Sequence, residues 1–84
     1  MHTLIVDCIG FLLKFAVYAI DADGEVYGRD YMSAEDIAKY AAANQDIKSI
    51  KLNGPTEYCM GLQEELKTQL ALEYANNDIE IEVI

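Results

Sequence analysis

The apolar residues at the start of the chain fall into two short runs that lack a polar face. Residues 3–9 are apolar at both odd and even positions apart from Asp7, and residues 14–20 continue the pattern with β-branched and aromatic side chains. A strand without a polar face is typical of a sheet centre, where both faces are covered. The pattern predicts two neighbouring strands, with the first at the centre of the sheet.

A turn and a third strand are predicted after this pair. Asp21, Asp23 and Gly24 have the spacing of a tight hairpin turn, because Asp accepts hydrogen bonds from nearby backbone and Gly adopts a positive φ without strain. Residues 25–27 can then return as a short strand. Three antiparallel strands are therefore predicted to open the domain.

A first helix is predicted to begin after Ser33. Ser33 and Asp36 resemble a capping box, in which the Ser side chain caps the start of the helix. Up to about residue 44, the positions on one helical face carry small or branched apolar side chains: Ala34, Ile37, Ala38, Ala41 and Ala42. These small residues would let the helix lie close to a sheet.

Residues 47–52 predict a fourth strand, and a longer helix follows it. Pro55 or Thr56 is predicted to start this helix, because Pro suits the first helical turn, and Thr56 is also interpreted as a cap. The helix is predicted to end at residues 76–77, which are both Asn. Its buried face is predicted from side chains at steps of four: Tyr58, Leu62, Leu66, Leu70 and Tyr74. Gly61 is expected to allow close approach of this helix to a strand.

The end of the chain alternates strictly between apolar and acidic residues. Residues 79–84 therefore predict a half-exposed strand whose Glu side chains lie in solvent. The predicted order of elements is β-β-β-α-β-α-β, which is an α+β arrangement with a mixed sheet. With 84 residues, the chain is expected to form a single domain over residues 1–84.

The charge of the chain bears on its partners. It has 15 acidic and 6 basic residues and a net charge of −9, which disfavours direct contact with nucleic acid or anionic membrane because phosphate binding needs clustered Lys and Arg. Cys8 and Cys59 lie apart in apolar segments and are typical of core thiols in a reducing compartment. Asp7 and Lys14 interrupt the apolar run that could otherwise span a membrane. We therefore expect a cytoplasmic protein.

The predicted order of elements resembles the core of the ribonuclease H-like fold, which actin-like ATPases, sugar kinases and Holliday-junction resolvases share. The resemblance covers nearly the whole chain. It implies a sheet with strand order 3-2-1-4-5, in which the first strand is central. This implied position agrees with the two-sided apolar pattern of residues 3–9.

A more local resemblance lies in residues 6–10 and 14–26. They look like the first hairpin of actin-like ATPases, where Asp-x-Gly and a Ser or Thr turn around phosphate before an apolar strand closed by Asp-Gly. Here Gly10 comes one place late, and bulky residues stand where small or hydroxyl side chains are expected: Phe11, Leu12 and Leu13. The resemblance therefore implies a reduced core with a degenerate phosphate hairpin and no bound cofactor.

An alternative function follows from the nucleases of the same fold. Asp7 matches their carboxylate on the first strand, and Glu35 or Asp36 could complete a Mg²⁺ site for a metal-dependent nuclease or a phosphotransfer protein. Asn53 stands where a second strand would supply another carboxylate. Asp7 either has this catalytic or metal-binding role, or it is a remnant that hydrogen-bonds to the following loop or pairs with Lys14.

The favoured function is a non-catalytic protein-interaction module that forms a homodimer or binds another protein. The candidate binding residues are Phe11, Leu12, Leu13 and Tyr18. The apolar segment 11–13 either contacts a partner or folds over the sheet. If both helices pack on one side, the other face, with alternate residues of 15–20, would meet water, and a second copy could cover it.

Overall fold

Five strands and two helices account for the regular structure of residues 2–9 and 14–84, which are the residues that the computed structural model describes. The strands are β1 (His2–Asp7), β2 (Phe15–Ile20), β3 (Val26–Met32), β4 (Ile47–Asn53) and β5 (Glu80–Val83). The helices are α1 (Ala34–Ala43) and α2 (Thr56–Tyr74). This sequence of elements confirms the predicted order.

The strands form one mixed sheet in the order β3-β2-β1-β4-β5. β2 pairs antiparallel with β1 and β3, whereas β4 pairs parallel with β1 and β5. The predicted α+β class and the strand order 3-2-1-4-5 are both confirmed. β1 is central, and its residues Leu4, Ile5 and Val6 are buried, as the apolar pattern predicts.

The third strand is longer than predicted. β3 pairs with the whole length of β2, from Ile20 opposite Val26 to Phe15 opposite Met32. It lies at the edge of the sheet, and most of its side chains are exposed. Polar residues are tolerated on both faces of such a strand, so Gly28, Arg29 and Asp30 give no apolar alternation from which its length could be predicted.

The predicted turn between β2 and β3 is confirmed. The Asp21 Oδ1 accepts hydrogen bonds from the backbone N–H groups of Asp23 and Glu25, both at 3.0 Å. Gly24 has φ 85°, a conformation that residues with a Cβ rarely adopt. The sequence of the turn thus supplies both the acceptor and the permissive residue that the hairpin needs.

The starts of the helices differ in how they are capped. The Ser33 Oγ accepts a hydrogen bond from the Asp36 N–H at 3.2 Å, which confirms the predicted cap of α1. α2 begins at Thr56, but the cap position is Pro55 and no side chain caps this helix. The interpretation of Thr56 as a cap is therefore wrong, and it occupies the first helical position instead.

The buried face of α2 does not include the first and last residues of the predicted row. Its buried residues are Cys59, Leu62, Leu66 and Leu70. Tyr58 is 63% exposed, and Tyr74 at the last helical position is also exposed. Each step of four residues rotates about 40° beyond a full helical turn, so the ends of the row leave the buried face. The helix ends at Tyr74, before the predicted Asn pair, because Ala75 adopts a left-handed conformation.

Both helices lie on the same face of the sheet, and they contact each other. We call this the covered face. It contains two rows of side chains that are paired across the strands: Ala19, Leu4, Ile50 and Ile81, and Val17, Val6, Leu52 and Val83. All eight belong to the core cluster or pack against it, together with the apolar faces of α1 and α2. Ile5, between Leu4 and Val6, points to the opposite side and is not part of this cluster.

Two glycines near α2 have different structural roles. A Cβ on Gly61 would meet no atom within 4 Å, so the expectation that this glycine allows close approach to a strand is wrong. Gly54 has φ 145°, and a Cβ there would lie 3.2 Å from the Cβ of Cys8. Close packing between the ends of β1 and β4 therefore requires glycine at position 54.

Gly61→Ala and Gly54→Ala are expected to change stability in opposite directions. Gly61→Ala should raise the free energy of unfolding by about 0.5–1 kcal/mol, because Ala restricts the unfolded chain and favours the helix. Gly54→Ala should lower it by about 1–3 kcal/mol, since it strains the backbone. Urea denaturation of both variants measures these changes, and a loss of stability in Gly61→Ala would contradict the open environment of that position.

Candidate functional site

Asp7 lies at the exposed carboxyl end of β1. The sequence suggested a carboxylate within a fully apolar strand, but β1 ends at this residue and the side chain reaches solvent. Its Oδ1 accepts a hydrogen bond from the backbone N–H of Ile9 at 3.2 Å. The expected hydrogen bond to the following loop is therefore present, whereas a role in metal binding stays a prediction.

The other candidate metal ligands are on separate elements. Asn53 is paired with Asp7 across β4 and β1, and its backbone carbonyl accepts a hydrogen bond from the Cys8 N–H at 2.8 Å. Glu35 and Asp36 are in the first turn of α1, which follows β3. β2 separates β3 from β1 in the sheet. Within residues 2–9 and 14–84, no three His, Cys, Asp or Glu side chains form a group that could hold a metal ion.

Two cysteine thiols lie next to this end of β1. Cys8 is 3% exposed and Cys59, in the first turns of α2, is fully buried, which confirms that both are core residues. Burial is the main cause that raises the pKa of the Cys8 thiol from 9.0 to about 12. A hydrogen bond with Cys59 and the nearby charge of Asp7 raise it further, against a smaller effect of the Asn53 backbone. The thiol is therefore protonated near neutral pH and is not an activated nucleophile.

The raised pKa predicts a loss of stability in alkaline solution. The unfolded chain releases the Cys8 proton near pH 9.0, while the folded protein holds it to about pH 12. The Cys8 thiol therefore does not change the free energy of unfolding below pH 9.0. As the pH rises from 9.0 to about 12, its ionisation in the unfolded chain lowers the free energy of unfolding. Cys8→Ala removes this contribution. The free energies of unfolding of the unchanged protein and of Cys8→Ala, each measured as a function of pH, should therefore converge between pH 9.0 and about 12. Parallel curves for the two proteins would contradict the prediction.

The candidate binding residues have different outcomes. Phe11, Leu12 and Leu13 lie outside the described residues. Tyr18 is half-buried on β2 and is directed away from the core cluster, because its neighbours Val17 and Ala19 are the β2 residues that belong to that cluster. Tyr18 therefore lies on the side of the sheet opposite the helices.

We call this second side the open face, because no helix or strand of residues 2–9 and 14–84 lies over it. The strand register places one row of its side chains across all five strands: Arg29, Tyr18, Ile5, Lys51 and Glu82. A second row contains Val26, Ile20, Thr3, Ser49 and Glu80. In these rows the open face is thus apolar or neutral on β1 and β2, with Lys51 on β4 and an acidic β5 edge. Asp7, two residues beyond Ile5 on β1, adds a carboxylate to the same face.

The side chains of the open face support one another within the sheet. Ile5 is 9% exposed, although it lies outside the core cluster. Its direct cross-strand neighbours are Tyr18 and Lys51, whose long side chains can cover it. The hydroxyls of Thr3 and Ser49 are 2.9 Å apart and form a hydrogen bond between β1 and β4. The centre of the open face is therefore an ordered surface and not a set of isolated apolar residues.

A cluster at the other end of β1 was not predicted from the sequence. The Tyr27 hydroxyl and the Nδ1 of His2 are 2.7 Å apart and form a hydrogen bond. Partial desolvation raises the pKa of the Tyr27 phenol. The nearby acidic groups of Tyr40, Asp21 and Asp46 raise it further. His2 is on β1 and Tyr27 is on β3, 25 residues away in the chain, so no local spacing in the sequence indicates the contact.

The described residues also form a groove of about 490 Å³ between the end of α2 and β5. Its apolar lining includes Leu70, Ala71, Leu72 and Ile79, and Leu72 is 78% exposed. Leu72 is outside the row of leucines at steps of four, so the pattern that identified the buried face did not include it. A polar rim is formed by Lys67, Asn76 and Asn77.

No protein-family model matches this chain, and no curated protein matches it in sequence. Among the described residues, neither helix has the length and apolar content needed to cross a bilayer. The candidate functional site has three structural features: the turn at Asp7, the buried thiols of Cys8 and Cys59, and the open face.

Proposed function

We propose that the protein is a non-catalytic protein-interaction module with a reduced ribonuclease H-like core, and that it self-associates as a dimer. The observation that carries the proposal is the open face, where the described residues leave Tyr18 and Ile20 half-buried beside Ile5. Apolar side chains in contact with solvent at the centre of a sheet are typical of a surface that binds a partner.

The energies of association favour contact through this face. Burial of a large apolar side chain contributes about 1.5–3 kcal/mol, and Tyr18 and Ile20 each retain exposed surface that a partner would cover. The net charge of −9 opposes association of two copies. This repulsion is spread over the molecule and is screened within about 8 Å at physiological salt, so local burial outweighs it.

The surroundings of Asp7 support a non-catalytic function. The Oδ1 of Asp7 is already used in a local turn with Ile9, and its cross-strand neighbour is the neutral Asn53. A second carboxylate at that position would provide the charge that a two-metal site needs. The two buried free thiols are typical of a reducing compartment, and we propose a cytoplasmic location.

Nucleotide and magnesium are expected to leave the thermal stability of the protein unchanged. A ligand that binds the native state specifically must raise the melting temperature, because binding stabilises that state. Thermal melting with Mg²⁺ alone, with ATP alone and with both tests this expectation. A rise of several degrees in any of these conditions would instead support the metal-dependent function that uses Asp7.

Light scattering at micromolar concentration is expected to give a mass of about twice 9.4 kDa. Tyr18→Lys should reduce this mass to that of one chain, because it places a positive charge in the row of the open face that already contains Arg29 and Lys51. Tyr58→Lys is the matched control, since Tyr58 is 63% exposed on α2 and lies away from the open face. A mass near 9.4 kDa for the unchanged protein, independent of salt, would exclude self-association.

A further inference from the structure

We infer that the partner on the open face is a second copy of the chain, rotated about a two-fold axis that runs parallel to β1, so that the β3 edge of each copy lies over the β5 edge of the other. This inference rests on the proposed self-association and adds its geometry. It is carried by the order of the charged and apolar side chains in the central row of the open face.

The central row has opposite charges at its two ends. Arg29 is at the β3 edge and Glu82 is on β5 at the other edge, with Ile5 in the middle. A two-fold axis along β1 exchanges the two edges when one sheet is stacked on another. Each Arg29 then lies over the Glu82 of the other copy, so the interface contains two identical pairs of opposite charge.

The inner positions of the row agree with the same arrangement. Tyr18 and Lys51 are on either side of Ile5, on β2 and β4. The same rotation places each Lys51 over the Tyr18 ring of the other copy, which is a favourable position for an ammonium group above an aromatic face. Ile5 lies on the axis and meets its own counterpart. Asp7, two residues further along β1 and on the same face, also comes near its counterpart, so the arrangement sets one pair of like charges against two pairs of opposite charge.

A second way to stack two open faces, with the axis at the level of the central row, is electrostatically unfavourable. A two-fold axis across the strands leaves each edge over the same edge of the second copy. Arg29 would then lie over Arg29, and Glu82 over Glu82. Like charges placed opposite each other in an interface oppose association, so the charge order of the row favours the axis along β1 over an axis across the strands.

The area of the open face is consistent with a dimer that depends on these charges. Strands about 4.8 Å apart and about 20 Å long give five strands a face of roughly 480 Å², so two copies would bury roughly 1,000 Å². Specific interfaces begin at about this total area. A small interface of this kind is sensitive to the loss of one type of charge pair and to salt.

Arg29 and Glu82 cannot form a pair within one chain. Four inter-strand spacings separate β3 from β5, which is about 19 Å. Any interaction between the two positions must therefore be between two copies. This separation makes an exchange of the two charges a direct test of the arrangement.

The test compares Arg29→Glu, Glu82→Arg and the double variant that carries both changes. Each single variant places like charges in both symmetry-related contacts and should raise the dimer Kd by about tenfold at low salt. The double variant restores both pairs with the charges exchanged, and its Kd should return to within about threefold of the unchanged protein. Sedimentation equilibrium measures the three constants.

Two control variants separate the effect of the pairs from that of net charge. Lys39→Glu on α1 changes the net charge from −9 to −11, as Arg29→Glu does, and Glu73→Arg on α2 changes it to −7, as Glu82→Arg does. Lys39 and Glu73 are exposed on the helices, away from the open face. We expect both controls to leave the Kd nearly unchanged. Urea denaturation checks that every variant is folded. If one is not, the double variant Arg29→Gln with Glu82→Gln is used instead, and the expected result is that its Kd no longer depends on salt.

The possible failures are distinguishable. A monomeric unchanged protein would overturn both the proposed self-association and this inference. A dimer in which Arg29→Glu has no more effect than Lys39→Glu, or in which the double variant is not restored, would overturn the axis along β1 and leave self-association standing. A dimer that Tyr18→Lys does not dissociate would show that another surface carries the contact.

Discussion

The two helices lie on one face of the sheet because both connections that contain them cross the sheet in the same direction. α1 connects β3 at one edge with β4 beyond the centre, and α2 connects β4 with β5 further along. In each case the two strands joined are parallel, and right-handed crossovers in one direction place their helices on one side. The order of elements therefore determines that one face is covered, while the described residues provide no helix or strand for the other.

This constraint gives neighbouring residues of the same strand different surroundings. Leu4 and Val6 pack beneath the helices, whereas Ile5 between them depends on Tyr18 and Lys51 for cover. An apolar strand is consequently compatible with a sheet that is covered on only one face. The open face is neither a second core nor an ordinary polar surface, because its apolar side chains on β1 and β2 lie beside charged ones such as Asp7 and Lys51.

The apolar pattern predicted the order of elements, and the fold that this order resembles predicted the order of the strands. Both predictions were possible because the burial of β1 and the half-exposure of β5 each require a recognisable pattern of apolar residues. The full length of β3 could not be predicted, since an edge strand tolerates residues such as Arg29 and Asp30. The exposure of Asp7 depends on where β1 ends, and the contact between Cys8 and Cys59 depends on how α2 packs. These features of the candidate site arise from tertiary structure and have no local signal.

The polar groups that could carry chemistry are largely used to form the fold. Asp7, Asp21 and Ser33 each accept hydrogen bonds from the backbone at a strand end, a turn and a helix start. The acidic residues of β5 also make that edge unsuitable for pairing with another strand. The proposed interaction function needs a surface that is ordered but incompletely covered, and the open face meets both conditions. In the proposed dimer the charges of this face set the orientation of the second copy, while its apolar side chains supply the favourable burial.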